Sequence, residues 1–250
     1  MQYLSNERVK ELKKLKMKKY REERKLVLVE GVRIIKQLLT FRIPLKEIYC
    51  TVDDIEKYSE IITRITSERV FLAKKQHLRQ MSATDNPQDF LALVETKRPQ
   101  LKKQERLLFI DRVSDPGNIG TIFRTAMATL MDGIILSPDC CEIFNPKTIR
   151  ASMGTVFVIP SKIADYRELS KLPNRMIITD IKEGISLFEI KPVEHPYLLV
   201  IGSEATGINQ DLMKKAACKI HIPMGGDMES LNVSVAAGLC MYSFNRDIIE

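Results

Sequence analysis

The tightest constraint on how this chain folds is a series of short apolar runs at 107–110, 133–136, 175–179 and 197–201, each bounded by charge or turn residues. A strand buried on both faces reads this way, because neither face alternates with polar residues. Helical patterns separate the runs, at 119–130 and 146–151, and two further strands are expected at 156–159 and 219–223 before a last helix. This predicts an α/β domain, a mostly parallel sheet wound with helices, whose ligands sit at the carboxyl ends of the strands. A smaller α/β pattern precedes it. Strands are expected at 25–29, 47–52, 70–72 and 89–94, and helices at 32–39 and 55–65. The charged, proline-containing stretch 98–105 reads as a linker, so the expected domains are 1–97 and 106–250.

A length of 250 residues suits two such domains. The net charge is +7, and residues 7–25 hold ten Lys/Arg against four Glu, so six of the seven net charges lie in one segment. Leu4, Val9, Leu12, Leu15 and Met17 give that segment a thin apolar stripe, which predicts a surface helix with a broad basic face. Such a face is either simply solvated or binds a polyanion by releasing counterions, with Arg8, Lys13, Lys14, Lys18 and Lys19 as contact candidates. It lacks the bulky aromatics of a membrane-surface helix. Five cysteines include no C-x-x-C, and three histidines lie far apart, so neither a disulfide framework nor a metal site is supported. No apolar run reaches membrane-spanning length and the start has no signal-peptide core, so a cytoplasmic protein is expected.

After the first run, Asp115-Pro116-Gly117-Asn118 turns the chain into a helix, with Asn118 the expected N-cap. Ile119, Ile122, Phe123, Ala126, Met127 and Leu130 form its apolar face, while Gly120, Arg124 and Ala128 form a separate stripe. Arg124 then projects between small residues, where a phosphate has room to reach its fork of donors; a structural ion pair is the other reading. Loops at 116–118, 202–207 and 224–230 each follow a strand and precede a helical segment. They contain neither G-x-G-x-x-G nor G-K-[ST], so neither a dinucleotide nor a nucleoside triphosphate is indicated. From Leu231 onward the last helix is apolar or small around its circumference, which predicts packing into the protein and against a second copy. Ser230, expected as its N-cap, and Asn232 place polar groups at its entrance.

Three of these stretches, 118–126 with Arg124, 200–207 with Gly202-Ser203-Glu204, and 222–236 with Ser230-Leu231-Asn232, resemble in order the signature motifs of the SpoU branch of the SPOUT RNA ribose 2′-O-methyltransferases. The stretch 145–154 is similar to another segment of that family, and Leu28-Val29-Glu30-Gly31 resembles the start of the ribosomal-protein-like RNA substrate-binding domain often fused in front. Two positions depart from the pattern. Ala205 stands where many relatives have glycine, and Asp89 follows Pro87-Gln88 where relatives often have glycine.

The resemblance implies a trefoil-knotted sheet that holds S-adenosylmethionine in a bent form, and methyl transfer to a ribose 2′-hydroxyl of ribosomal or transfer RNA by a homodimer. It assigns cofactor contacts to Thr179, Ile201, Gly202, Gly207, Ile222, Met224 and Leu231, and RNA contact also to Arg150. It assigns the chemistry to Arg124, with Asn118, Glu204, Ser230 and Asn232 around it. A guanidinium stays protonated, so orienting a phosphate and stabilising a developing alkoxide are easier roles for Arg124 than proton abstraction. Glu204 is the carboxylate left to act as base or to orient Arg124. A catalytically silent RNA-binding protein of the same fold, serving ribosome assembly, is the alternative.

Overall fold

The computed structural model describes residues 1–84, 86–181, 183–191, 193–203 and 206–249. The chain divides into two compact units, Met1–Lys97 with Phe144–Phe157, and Arg98–Ile143 with Val158–Glu250. In chain order the first run of elements is β1 (Gln2–Tyr3), α1 (Asn6–Lys13), α2 (Lys18–Arg24), β2 (Leu26–Glu30), α3 (Val32–Thr40), β3 (Leu45–Cys50), α4 (Asp53–Lys57), α5 (Ser59–Ile62), β4 (Val70–Leu72), α6 (Lys75–Met81) and β5 (Phe90–Glu95). There follow β6 (Arg106–Asp111), α7 (Pro116–Ala128), β7 (Gly133–Leu136), α8 (Pro146–Ala151), β8 (Ser161–Ile163), α9 (Tyr166–Leu169), β9 (Arg175–Asp180), β10 (Ile185–Ser186), β11 (Tyr197–Gly202), α10 (Gln210–Met213), β12 (Cys218–His221) and α11 (Val233–Ile249).

The first unit is built on a mixed sheet in the order β1-β4-β3-β5-β2, in which β5 runs antiparallel to both β2 and β3. Its basic front is not one helix. A 3-10 turn at Lys14–Lys16 separates α1 from α2, and Met17 after it is exposed. The break follows from Arg21, a buried guanidinium that donates to the carbonyl oxygens of Leu15 at 2.8 Å and Lys16 at 2.7 Å. Those carbonyls would otherwise be helical, and a charged donor holds them better than a continued helix would. Val9, Leu12 and Leu15 still fill the core beneath. The helix expected at 55–65 is likewise two short pieces, divided at Tyr58.

The second unit carries a seven-stranded sheet, β10-β12-β9-β11-β6-β7-β8, and every pairing in it is parallel. The apolar runs at 107–110 and 197–201 occupy the inner neighbours β6 and β11, where both faces are covered. Leu107, Phe109, Leu198 and Val200 pack one face against Leu169 and Leu212. At the start of β11, Tyr197 donates to Asn245 of α11 at 2.7 Å, and Asn245 donates to the Thr129 carbonyl after α7 at 2.8 Å. This buried polar chain fixes α11 and α7 to the sheet.

Three local expectations are corrected. Asp115, not Asn118, caps α7: its carboxylate accepts the Asn118 N–H at 2.9 Å, with Pro116 at the first helical position, where a missing N–H costs nothing. Asn232, not Ser230, caps α11, its Oδ1 accepting the Ser234 N–H at 2.9 Å. The strand expected at 156–159 is a 3-10 turn at Thr155–Phe157 followed by β8 beyond Pro160. Val156, Phe157 and Ile159 are buried as expected of a strand, but Met153 and Gly154 turn the chain at positive φ and an apolar run alone does not separate a buried turn from a strand.

Candidate active site

Parallel pairing puts the carboxyl ends of β9, β11 and β12 on one edge of the sheet, and a cavity of about 360 Å³ opens there. Its wall comes from the end of β9 (Thr179, Asp180, Ile181), the end of β11 and its loop (Ile201, Gly202, Ser203, Thr206, Gly207, Ile208), the segment after β12 (Ile222, Met224) and the entrance to α11 (Ser230, Leu231, Val233). All seven residues assigned to the cofactor, Thr179, Ile201, Gly202, Gly207, Ile222, Met224 and Leu231, line this one cavity. So does Ser230. Asp180, Ile181, Ser203, Thr206, Ile208, Gln210, Met213, Val233 and Ala236 complete it and were not foreseen. Asp180 was within reach of sequence reasoning, as the residue after Thr179 at a strand's carboxyl end.

The donor set suits S-adenosylmethionine. The size is in the range of small-molecule sites, and the branched apolar walls leave a slot that a purine can enter. Among the described residues that line it there is no lysine or arginine, which disfavours a polyphosphate; Asp180 adds a carboxylate to the lining, shared with the Glu183 N–H at 3.1 Å and with Lys219 at 3.9 Å. Gly202 is required by shape: a Cβ there would stand 2.5 Å from the Gly207 carbonyl oxygen. The loop closes on itself at that point, the Gly207 N–H donating to the Ser203 carbonyl at 2.8 Å with Gly207 at φ +62°. Thr179 is partly engaged, its hydroxyl donating to the Val200 carbonyl at 3.2 Å.

The polar motif residues divide into those brought together and those not. Asn232 donates through Nδ2 to Asn118 Oδ1 at 3.0 Å, which ties the entrance of α11, beside the cavity, to the first turn of α7. With Asp115 as the cap, the Asn118 side chain accepts this bond rather than closing the first turn of its own helix. Arg124 lies farther along α7 on its exposed face, with Thr121 and Ala128, whereas Gly120, expected on the same stripe, is buried. Arg124 does not line the cavity and makes no hydrogen bond or ion pair among the described residues. The structural ion pair is therefore not what holds it. Glu204 lies outside the described residues.

The basic candidates differ in how committed they are. Arg8 is paired with Glu47 at 2.7 Å and Lys14 with Glu11 at 2.6 Å, while Lys18 makes only a long exposed contact with Glu22 at 3.7 Å. Lys13 and Lys19 are exposed and make no ion pair among the described residues. Arg150, on α8 in the first unit, is half-buried and lines an open cleft of about 470 Å³ with Glu30, Thr84, Asn86 and Gln88. Among the described residues no His/Cys/Asp/Glu group is arranged to hold a metal, and no helix is long and apolar enough to cross a membrane.

Known proteins share this layout. A family model described as the SpoU rRNA Methylase family matches residues 105–242, and one described as the MRM3-like substrate binding domain matches residues 6–92. The chain is 31% identical over 241 residues to the 23S rRNA (guanosine(2553)-2′-O)-methyltransferase RlmP of Bacillus subtilis (strain 168), covering 95% of each protein. It is 27% identical over 240 residues to the 23S rRNA (uridine(2479)-2′-O)-methyltransferase of Streptomyces viridochromogenes, covering 89% of this chain and 83% of the relative. The crystal structure of an AdoMet-bound rRNA methyltransferase from Sinorhizobium meliloti superposes with a TM-score of 0.85 at 26% identity, covering 100% of this chain and 99% of that one. With its parallel sheet, its three motif loops and its separate front domain, the chain belongs to the SpoU rRNA methylase family and carries an MRM3-like substrate-binding domain.

Proposed function

We propose that this chain is an S-adenosylmethionine-dependent methyltransferase acting on a ribose 2′-hydroxyl of ribosomal or transfer RNA, as a cytoplasmic homodimer with a knotted C-terminal sheet. The observation that carries the reading is the single cavity shared by all seven residues of the cofactor motifs. When bound, S-adenosylmethionine supplies a methyl group on a sulfonium, which the 2′-oxygen takes as its proton departs and S-adenosylhomocysteine is left.

The residues of this chain have separable tasks in that reaction. Ile181, Ile201, Ile222 and Leu231 form the dry walls of the slot, and Asp180 offsets positive charge on the ligand. The Asn118–Asn232 bond holds the α7 and α11 entrances in register, so that groups on either loop face the same substrate. Arg124 grips the phosphate of the target nucleotide and offsets charge developing on the 2′-oxygen. Ser230 positions the ribose, and Glu204 accepts the proton or orients Arg124. Basic side chains of the front domain, Lys13 and Lys19 first, hold the RNA backbone. Calorimetric titration with S-adenosylmethionine, with mapping of ribose methylation in RNA from cells with and without the protein, tests the reading. Cofactor binding and a ribose mark that vanishes with the protein are expected; a chain that binds no cofactor and leaves every mark in place overturns it.

A further inference from the structure

The cavity wall formed by the loop after β11 is held from outside by two consecutive residues at the end of β6, neither of which touches the cavity. Asp111 is wholly buried. Its Oδ1 accepts the Tyr166 hydroxyl at 2.8 Å and its Oδ2 accepts the Asn209 N–H at 2.8 Å, while its carbonyl accepts the Ser203 N–H at 3.0 Å. Arg112 pairs with the same carboxylate at 3.3 Å and donates to the Gly207 carbonyl at 3.2 Å. The loop is therefore fastened at 203, 207 and 209, all from Asp111 and Arg112. Ser203, Thr206, Gly207 and Ile208 of that loop line the cavity. Arg112 reaches it from a left-handed backbone, φ +56°, a conformation that costs an ordinary side chain energy and persists where its surroundings demand it.

We propose that Asp111 and Arg112 are positioning residues for the cofactor: they pre-shape the wall formed by Ser203 and residues 206–209, so that binding does not have to order it. The proposal rests on the reading that this cavity takes S-adenosylmethionine. A buried carboxylate that holds the loop directly at the Asn209 N–H and indirectly through Arg112 is a costly device for fixing an edge that the sheet alone leaves free. Tyr166, brought in by α9, completes the satisfaction of the carboxylate, and burial together with the Asp111 bond pushes its hydroxyl up to about 12, so it stays a donor.

The test uses the full chain and S-adenosylmethionine. Arg112→Gly removes the guanidinium while suiting the positive φ, and Asp111→Asn keeps the shape while discarding the charge. Arg112→Gly is expected to weaken calorimetric cofactor affinity about tenfold, the loss of one charge-assisted contact, with the rate at saturating cofactor within about twofold of wild type and the cofactor-free melting temperature nearly unchanged, whereas Asp111→Asn, whose amide nitrogen meets a donor in a buried site, is expected to lose affinity and to lower the melting temperature as well. Arg112→Lys, which reaches one partner and not both, is expected to fall between. Wild-type affinity in Arg112→Gly overturns the proposal. So does a loss of affinity in Arg112→Gly that simply follows a lowered cofactor-free melting temperature, which makes the pair general stabilisers. A wild-type chain that binds no S-adenosylmethionine overturns the cavity reading and this proposal with it, and is distinguished by that first titration.

Discussion

Arg124 is the residue to which the proposed mechanism gives the chemistry, and its surroundings make that testable. It is exposed and unpaired among the described residues, so truncating it leaves no buried charge behind. Arg124→Ala should leave folding and cofactor affinity as they are and slow single-turnover methylation of the cognate RNA roughly a hundredfold to a thousandfold, about 3–4 kcal/mol of transition-state stabilisation. Arg124→Lys should recover little, because an ammonium keeps the charge and not the planar fork. A variant that methylates at near wild-type rate moves the chemistry elsewhere. Gly202 gives the complementary case, a residue that matters by having no side chain. In Gly202→Ala the new Cβ meets the Gly207 carbonyl carbon and the Ile208 side chain at 2.6 Å. Backbone cannot yield as a flexible side chain would, so overpacking should cost about 1–3 kcal/mol in denaturant unfolding and deform the wall that the ligand meets. Cofactor affinity should drop at least about tenfold in the same preparation; full affinity would mean that the loop relaxes outward without touching the site.

At the scale of elements, what was readable in the sequence and what was not have different physical origins. The inner strands β6 and β11 were legible because burial on both faces writes a continuous apolar run, and the cavity was legible because strand-end loops of a parallel sheet share one edge. The helix caps were misread by two or three residues. Asp115 and Asn118 are both good caps in isolation, and only the Asn232 contact across the fold shows why Asn118 is spared. Asp111 and Arg112 were invisible as a pair, since their partners lie 55 to 98 positions away. The basic front shows the same limit: no local rule reveals that Arg21 is buried and breaks the helix. That break sorts the charges. Lys13 and Lys19 are free to meet phosphate, whereas Lys14 serves Glu11, which also binds Arg24. Lys13→Glu with Lys19→Glu should therefore lower RNA affinity and reduce the slope of log affinity against log salt by about 1.5, with cofactor binding untouched. An unchanged slope would remove this face from the RNA interface.

For the molecule as a whole, the decisive feature is what α11 leaves uncovered. Its composition predicted burial all round, yet in the single chain Val235, Leu239 and Tyr242 remain 50%, 40% and 50% exposed. Met127 and Leu130 are exposed on α7 and just beyond it, and α7 packs on α11, so the unsatisfied apolar area is spread over two adjoining helices. An apolar surface on rigid packed helices is what a two-fold interface requires, because the same patch meets itself without reshaping. The other side of α11 is already committed to the core through Ala237, Met241, Phe244 and the Asn245 bonds, so the exposed side is left uncovered among the described residues of the second unit. The chain should be a dimer in light scattering at micromolar concentration. Leu239→Glu with Tyr242→Glu should convert it to a monomer, because each new carboxylate would be desolvated opposite its own copy. The secondary structure seen by circular dichroism should survive, since neither position is buried in the single chain. A wild-type protein that runs as a monodisperse monomer, or a doubly charged variant that remains dimeric, would place the interface elsewhere or abolish it.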